Sequence, residues 1–130
     1  MLEPDLIEHM KASLTGIAGG VHLGNVPQDC DAPAISVTRI SGTSPRTLGG
    51  RKLFSRADVQ IVVVGDDRYA PVMAAANQVR ELLEGFRGPM RMTLIESCLC
   101  EGDPADNSVV DGNKVIRALS LDFKFTYRDL

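Results

Sequence analysis

The alternation of apolar and polar positions is cleanest toward the end of the chain. Val115, Leu119, Leu121, Phe123, Phe125 and Tyr127 alternate with Ile116, Ala118, Ser120, Asp122, Lys124 and Thr126. A period of two over that length predicts a strand able to cross a whole sheet with one face covered. Arg117 interrupts the apolar side and is expected near the strand's end. A second strand is centred on Arg56–Val64. There Asp58, Val59, Gln60 and Ile61 alternate, and Ile61-Val62-Val63-Val64 is then apolar on both sides, as in a strand buried deep in a sheet. Gly65-Asp66-Asp67 breaks it.

Helical spacing occurs twice. Leu6, Met10, Leu14 and Ile17 recur on one stripe with Ile7 beside them, and Gly19-Gly20 is the stop. Pro4 suits the first turn, and Asp5 and Glu8 complement the dipole there. The second helix is expected over about Tyr69–Glu84, with Val72, Met73, Ala76, Val79, Leu82 and Leu83 on one face. Asp66 or Asp67 could cap it, Pro71 lies in its first turn, and Gly85 and Gly88-Pro89 end it.

Between the helices, Val21–Val26 reads as a short edge strand, residues 27–33 as a loop, and Ala34–Ile40 as a strand. A polar connection of twelve residues, Ser41–Lys52, follows. That is long for a hairpin, and such loops tend to be functional. The strands it joins are expected to be antiparallel neighbours. After the second helix, Met90, Met92 and Leu94 alternate with Arg91 and Thr93 as a further strand. Glu101–Gly112 then reads as an acidic loop, with turn signals at Pro104 and Asp111-Gly112. The order α-β-β-α-β-β predicts an α+β fold: two helices packed on one face of a mainly antiparallel four- to five-stranded sheet.

Composition fits this picture. The 130 residues predict a single domain, 1–130, burying roughly two-thirds of its unfolded surface. A net charge of −3 argues against a general nucleic-acid binder. No stretch approaches the roughly 20 apolar residues of a membrane-spanning helix, and the acidic start does not resemble a secretory signal. Cys30, Cys98 and Cys100 are read as reduced thiols in a cytoplasmic setting. Cys98 and Cys100, two apart on a strand, would point the same way. Their spacing is not that of a zinc pair, so small core residues are the preferred reading over a metal site with Cys30 and His22.

Motifs for chemistry are missing. Gly42 and Gly49-Gly50-Arg51-Lys52 lack P-loop spacing and precede a strand rather than a helix. There is no Gly-x-Ser-x-Gly elbow. His9 and His22 read as boundary and strand residues with nothing catalytic beside them. Glu101, Asp103, Asp106, Asn107 and Asp111 are oxygen donors, but not in the order of a calcium loop. From the residues alone the search for chemistry is mostly negative, and a metal site is not the preferred reading.

Charge placement is more informative. Residues 41–56 contain four basic side chains (Arg46, Arg51, Lys52, Arg56) and no acidic one, whereas residues 101–112 contain four acidic ones (Glu101, Asp103, Asp106, Asp111) and no basic one. Two solvated loops is the plain explanation. The sharper one is that the basic loop of one subunit meets the acidic loop of another, or that the basic loop faces a nucleic-acid passage; opposite patches permit head-to-tail contacts that close into rings.

Pro33-Ala-Ile-Ser-Val-Thr-Arg-Ile-Ser-Gly-Thr43 resembles the strand signature of small tail completion proteins of long-tailed bacteriophages, also called tail terminators. The N-terminal helix, the long loop, Ala57-Asp-Val-Gln-Ile-Val-Val-Val64, a helix of the Ala74–Leu83 type and the ending Leu121-Asp-Phe-Lys-Phe-Thr-Tyr-Arg128 follow in the same order. The resemblance spans nearly the whole chain, through motifs that are patterned rather than invariant. It implies a hexameric ring at the head-proximal end of the tail tube, with no catalysis and no cofactor. Such a ring stops polymerisation and docks on the head connector, with DNA passing through its lumen. The implied location is the virion tail, and the host cytoplasm during assembly. Other readings are another head–tail connector or tail tube component, or a small nucleic-acid-binding protein using Arg46, Arg51, Lys52 and Arg56.

Overall fold

The computed structural model describes residues 2–26, 31–43, 54–112 and 114–129, the side chains of Asp111 and Lys114 excepted. In order along the chain these form α1 (Leu2–Ser13), β1 (Val21–Leu23), β2 (Ala34–Thr43), β3 (Ser55–Val64) and α2 (Tyr69–Leu83). They continue with β4 (Gly88–Met90), β5 (Thr93–Cys100), β6 (Ala105–Asp106), β7 (Val109–Asp111), β8 (Lys114–Ile116) and β9 (Ala118–Asp129).

The expected four- to five-stranded, mainly antiparallel sheet is corrected. The main sheet has seven strands in the order β1-β2-β3-β9-β5-β4, with β6 also on β9, and β7 and β8 form a separate pair. The sheet is mixed, because β1 runs parallel to β2, with Val21 opposite Ile35 and Leu23 opposite Val37. Sheet dominates the fold. The extra strands are two or three residues long, too short for an alternation to show.

The long strands follow their pattern. In β9, Leu119, Leu121, Phe123, Phe125 and Tyr127 are buried, as are Ala57, Val59, Ile61 and Val63 of β3. On the opposite face Val62 and Val64 are half-buried, so β3 is covered fully on one side only. β2 and β3 are antiparallel, as expected of the strands the long connection joins.

Both helices lie on the buried face. α1 touches β1 and β2 at one edge of the sheet and β4 at the other, so the sheet curls around it; α2 lies on β3, β9 and β5. Leu2, Leu6 and Met10 of α1, and Val72, Val79 and Leu83 of α2, are at most 1% exposed.

Three local expectations change. α1 ends at Ser13 rather than near Gly19. Leu14 and Ile17 still pack on the core, but from irregular chain, with Gly16 at φ 75°. Asp66 does not cap α2, whose N-cap residue Arg68 has no side-chain cap; its carboxylate accepts from the Arg68 backbone N–H at 2.9 Å. Met90-Arg-Met-Thr-Leu94 is a hairpin and not one strand. Met90 pairs with Thr93 across a two-residue turn, with Arg91 at φ 55°. Met90, Thr93 and Ile95 therefore point inward while Met92 is 63% exposed.

Candidate interaction surface

Three features of the outside of the molecule follow from the strand register: a polar sheet face, an open edge and a projecting ribbon. The face away from the helices is built from the even-numbered positions of β3 and β9. Asp58 lies opposite Lys124, and Arg56 opposite Thr126. The Ser41 hydroxyl donates to Asp58 at 2.7 Å. A shallow concavity of about 370 Å³ lies here, between the end of the β2–β3 hairpin and Ser97 and Leu99 of β5.

The open edge belongs to β2. β1 covers it only as far as Val37, where the Gly24 N–H donates to the Val37 carbonyl at 2.9 Å. From Thr38 to Thr43 the outer edge has no partner strand among the described residues. The register slips between Arg39 and Ser41, a bulge that leaves Ile40 out of the ladder and 60% exposed. Leu23, on β1, is also 60% exposed. A groove of about 360 Å³ lies beside it, lined by Pro4, Leu23, Gly24, Val37 and the stem of Arg39. Arg39 is anchored, since its guanidinium contacts the Glu3 carboxylate and donates to the Tyr127 hydroxyl at 2.6 Å.

The ribbon revises the reading of residues 101–112 as a loop. Ala105 pairs with Ser120, Asp106 with Leu119, Val109 with Ile116, Val110 with Val115, and Asp111 with Lys114. The Asn107 N–H donates to the Ala118 carbonyl. Every pair has the same register, so β6–β7 and β8–β9 are one continuous hairpin about Gly112, interrupted only at Ser108 and Arg117. β3 stops opposite Ala118. Gly65 and Asp66 then exchange backbone bonds with Arg117, at 2.8 and 3.2 Å. Beyond that joint the ribbon runs on with only its own two strands, for about 15 Å at 3.3 Å per residue. Val109 is 56% and Val110 71% exposed.

Among the described residues, Arg56 makes no ion pair with Glu101, Asp103 or Asp106, which have other partners. Arg46, Arg51 and Lys52 lie outside the described residues. Arg56 is exposed, its guanidinium 5.4 Å from the centre of the Phe54 ring. Glu101 pairs with Lys124 at 3.0 Å and holds the ammonium above its ordinary pKa. Asp103, almost fully exposed, reaches Arg80 at 3.5 Å. Asp106 accepts from the Ser108 hydroxyl and backbone N–H, which hold its carboxyl below the usual range. The Asp111 backbone is in β7, one residue from the turn. Exposed pairs of this kind contribute little stability, so a partner could exchange them at little cost. Arg56 lies opposite Thr126, and Ala105 opposite Ser120. Glu101 is nearer, since its N–H donates to the Asp122 carbonyl, so the acidic stretch begins roughly 13 Å from the level of Arg56 along β9 and runs away from it.

Sequence reasoning did not select Leu23, Ile40, Val109 or Val110. The ribbon did carry a signal: Val109-Val110 and Val115-Ile116 flank Asp111-Gly-Asn-Lys114, paired apolar steps about a tight-turn sequence. Among the described residues no three His, Cys, Asp or Glu side chains gather as a metal site. Cys98 is buried, its thiol pushed up to about 12 by desolvation first and then by Glu84 and Cys100.

No family model matches the chain, and no curated protein does. Among solved structures, the fold is shared with a chain from the virion of a native gene transfer agent particle. The TM-score is 0.63 at 17% identity, over 93% of this chain and 90% of that one. The likeness, over nearly the whole length of both chains, is one of fold.

Proposed function

We propose that this chain is a structural component of a phage-like virion, and that it completes the tail. In this reading copies of it form a ring on the head-proximal end of the tail tube, halt polymerisation there and present the surface that meets the head connector. DNA passes through the ring. The observation that carries the reading is the fold shared with a gene transfer agent virion chain over nearly the full length of both. The order of strand and helix motifs, which resembles that of tail completion proteins, narrows the virion role to this one. A role through assembly also suits a surface that combines an open strand edge, a projecting ribbon and exposed, loosely paired charges.

Subunits would meet head to tail, the basic end of one (Arg46, Arg51, Lys52, Arg56) facing the acidic region of the next (Glu101, Asp103, Asp106, Asp111). A net charge of −3 suits a conduit that lets DNA pass, since phosphate contacts would hold it. Electron microscopy of the purified protein, alone and mixed with tail tubes, tests the reading. Rings, and tubes capped at a fixed length, are expected; tubes that continue to grow with the protein present would overturn it.

A further inference from the structure

We propose that the β7–β8 ribbon is an intersubunit arm whose valines seat on the β2 edge and the Leu23 groove of a second copy. This rests on the ring reading above and gives it a specific joint.

A two-stranded ribbon in water is marginal by itself. This one extends past the end of its sheet with exposed apolar side chains on both faces. Val110 and Val115 pair on one, Val109 and Ile116 on the other. Folding alone gives no reason for Val110 to be 71% exposed; a partner surface does.

The receiving surface offers what the arm lacks. The β2 edge from Thr38 to Thr43 has no partner strand among the described residues, and edges of this kind accept an added strand. Leu23 stands exposed at the groove that Val37 helps to line, and Ile40 stands exposed on the edge strand itself. The arm cannot reach this groove within its own chain. Its β8 strand leads into β9 and points away from the sheet, and β3 and β9 separate it from β2. Two different surfaces that fit only between copies define a head-to-tail contact, the kind that closes into rings. Charge favours the same pairing. The stretch leading out to the arm, residues 101–112, holds four acidic side chains and no basic one, while the stretch leaving the β2 edge, residues 41–56, holds four basic and no acidic.

The test compares assembly of wild type, an arm variant (Val109→Ser with Val110→Ser) and a groove variant (Leu23→Lys with Ile40→Lys). Sedimentation and native mass spectrometry read the assembly, and circular dichroism checks that each variant is folded. Each variant alone should assemble roughly a hundredfold more weakly than wild type, from the apolar surface it no longer buries. An equimolar mixture of the two should yield dimers and nothing larger, because only one intact arm and one intact groove remain to meet. An arm variant that assembles like wild type overturns the arm and leaves the ring reading standing. A mixture that stays monomeric overturns this choice of docking surface. A wild type that is monomeric at every concentration, with or without tail tubes, overturns the ring reading itself.

Discussion

The side-chain amide of Gln78 grips the backbone of Thr15 from both sides. Its Oε1 accepts from the Thr15 N–H at 3.1 Å and from the hydroxyl at 3.3 Å, and its Nε2 donates to the Thr15 carbonyl at 2.9 Å. Residue 78 is on α2, and residue 15 follows the end of α1. Two peptide groups left over where α1 stops are thereby satisfied from another helix. Gln78→Ala should cost about 1–2 kcal/mol, the two exposed bonds to the Thr15 backbone at ordinary net value, measured by urea denaturation. Gln78→Glu keeps the acceptor but loses the donor and should fall between Ala and wild type. Equal stability of all three would show that the clamp contributes nothing.

Arg39 lies between Glu3 and Tyr127, and the three tie α1, β2 and β9 together. The Glu3 side chain is 11% exposed, so removing its cation strands a nearly dry carboxylate. Arg39→Met should cost about 1–3 kcal/mol, less than for a fully buried pair because the Arg39 side chain is itself 36% exposed, and Arg39→Met with Glu3→Gln should recover part of it. A double-mutant cycle in denaturant measures the coupling; additive losses would show that the contact is unimportant.

His9 packs edge-on against Phe86, ring centres 4.9 Å apart, with a buried Nε2 that has no hydrogen-bond partner among the described residues. Desolvation lowers its pKa below the ordinary 6.5. The unfolded chain therefore takes up a proton more readily than the folded one. The stability due to neutral His9 is present above pH 6.5 and is lost as pH falls through the depressed value. Urea midpoints at pH 7.5 and 5.5 should differ more for wild type than for His9→Phe. An identical difference in both proteins would remove His9 as the cause.

Two glycines have distinct tasks. A Cβ on Gly65, at the end of β3, would stand 2.2 Å from Val72 Cγ2, and one on Gly19 would stand 2.0 Å from the Asp31 carbonyl oxygen. Gly65→Ala meets a side chain and should cost about 1–3 kcal/mol by overpacking. Gly19→Ala meets backbone that has less freedom to shift and should cost more. Thermal melts of the two variants check the order, and a reversed order would mean that the Asp31 segment yields more easily than α2.

The parts of the fold that could be read from the sequence are those where burial imposes a period long enough to see. β9 and β3 show one covered face across ten or more residues, and α2 shows a full stripe. β4 and β6 do not, because two or three residues carry no period; their place is set by edges and connections formed elsewhere. Leu14 and Ile17 misled for a different reason. Both bury surface at helical spacing, yet from chain that leaves the helix at Ser13, where Gln78 takes over its peptide bonds. Residues 105–108 carry an Asp-Asn-Ser run that looks like a loop, and their pairing is imposed by β9. The candidate charges were visible as composition. That Glu101, Asp103 and Asp106 already have partners depends on Lys124, Arg80 and Ser108, of which only Ser108 is close in sequence.

The shared register of residues 105–120 has a consequence for how such a chain can vary. In β9 proper, a slip of one position would carry Asp122 and Lys124 into the core and Phe123 into water. The alignment there is locked by chemistry. Past Arg117 both faces of the ribbon are apolar, so the same slip exchanges one pair of valine-sized groups for another. Natural variants could thus lengthen or shorten the arm around Gly112, one residue from each side at a time, without disturbing the sheet that holds it. Reach would be free to drift while the frame stays fixed. Relatives of this protein are expected to differ most in the number of rungs beyond the joint at Arg117.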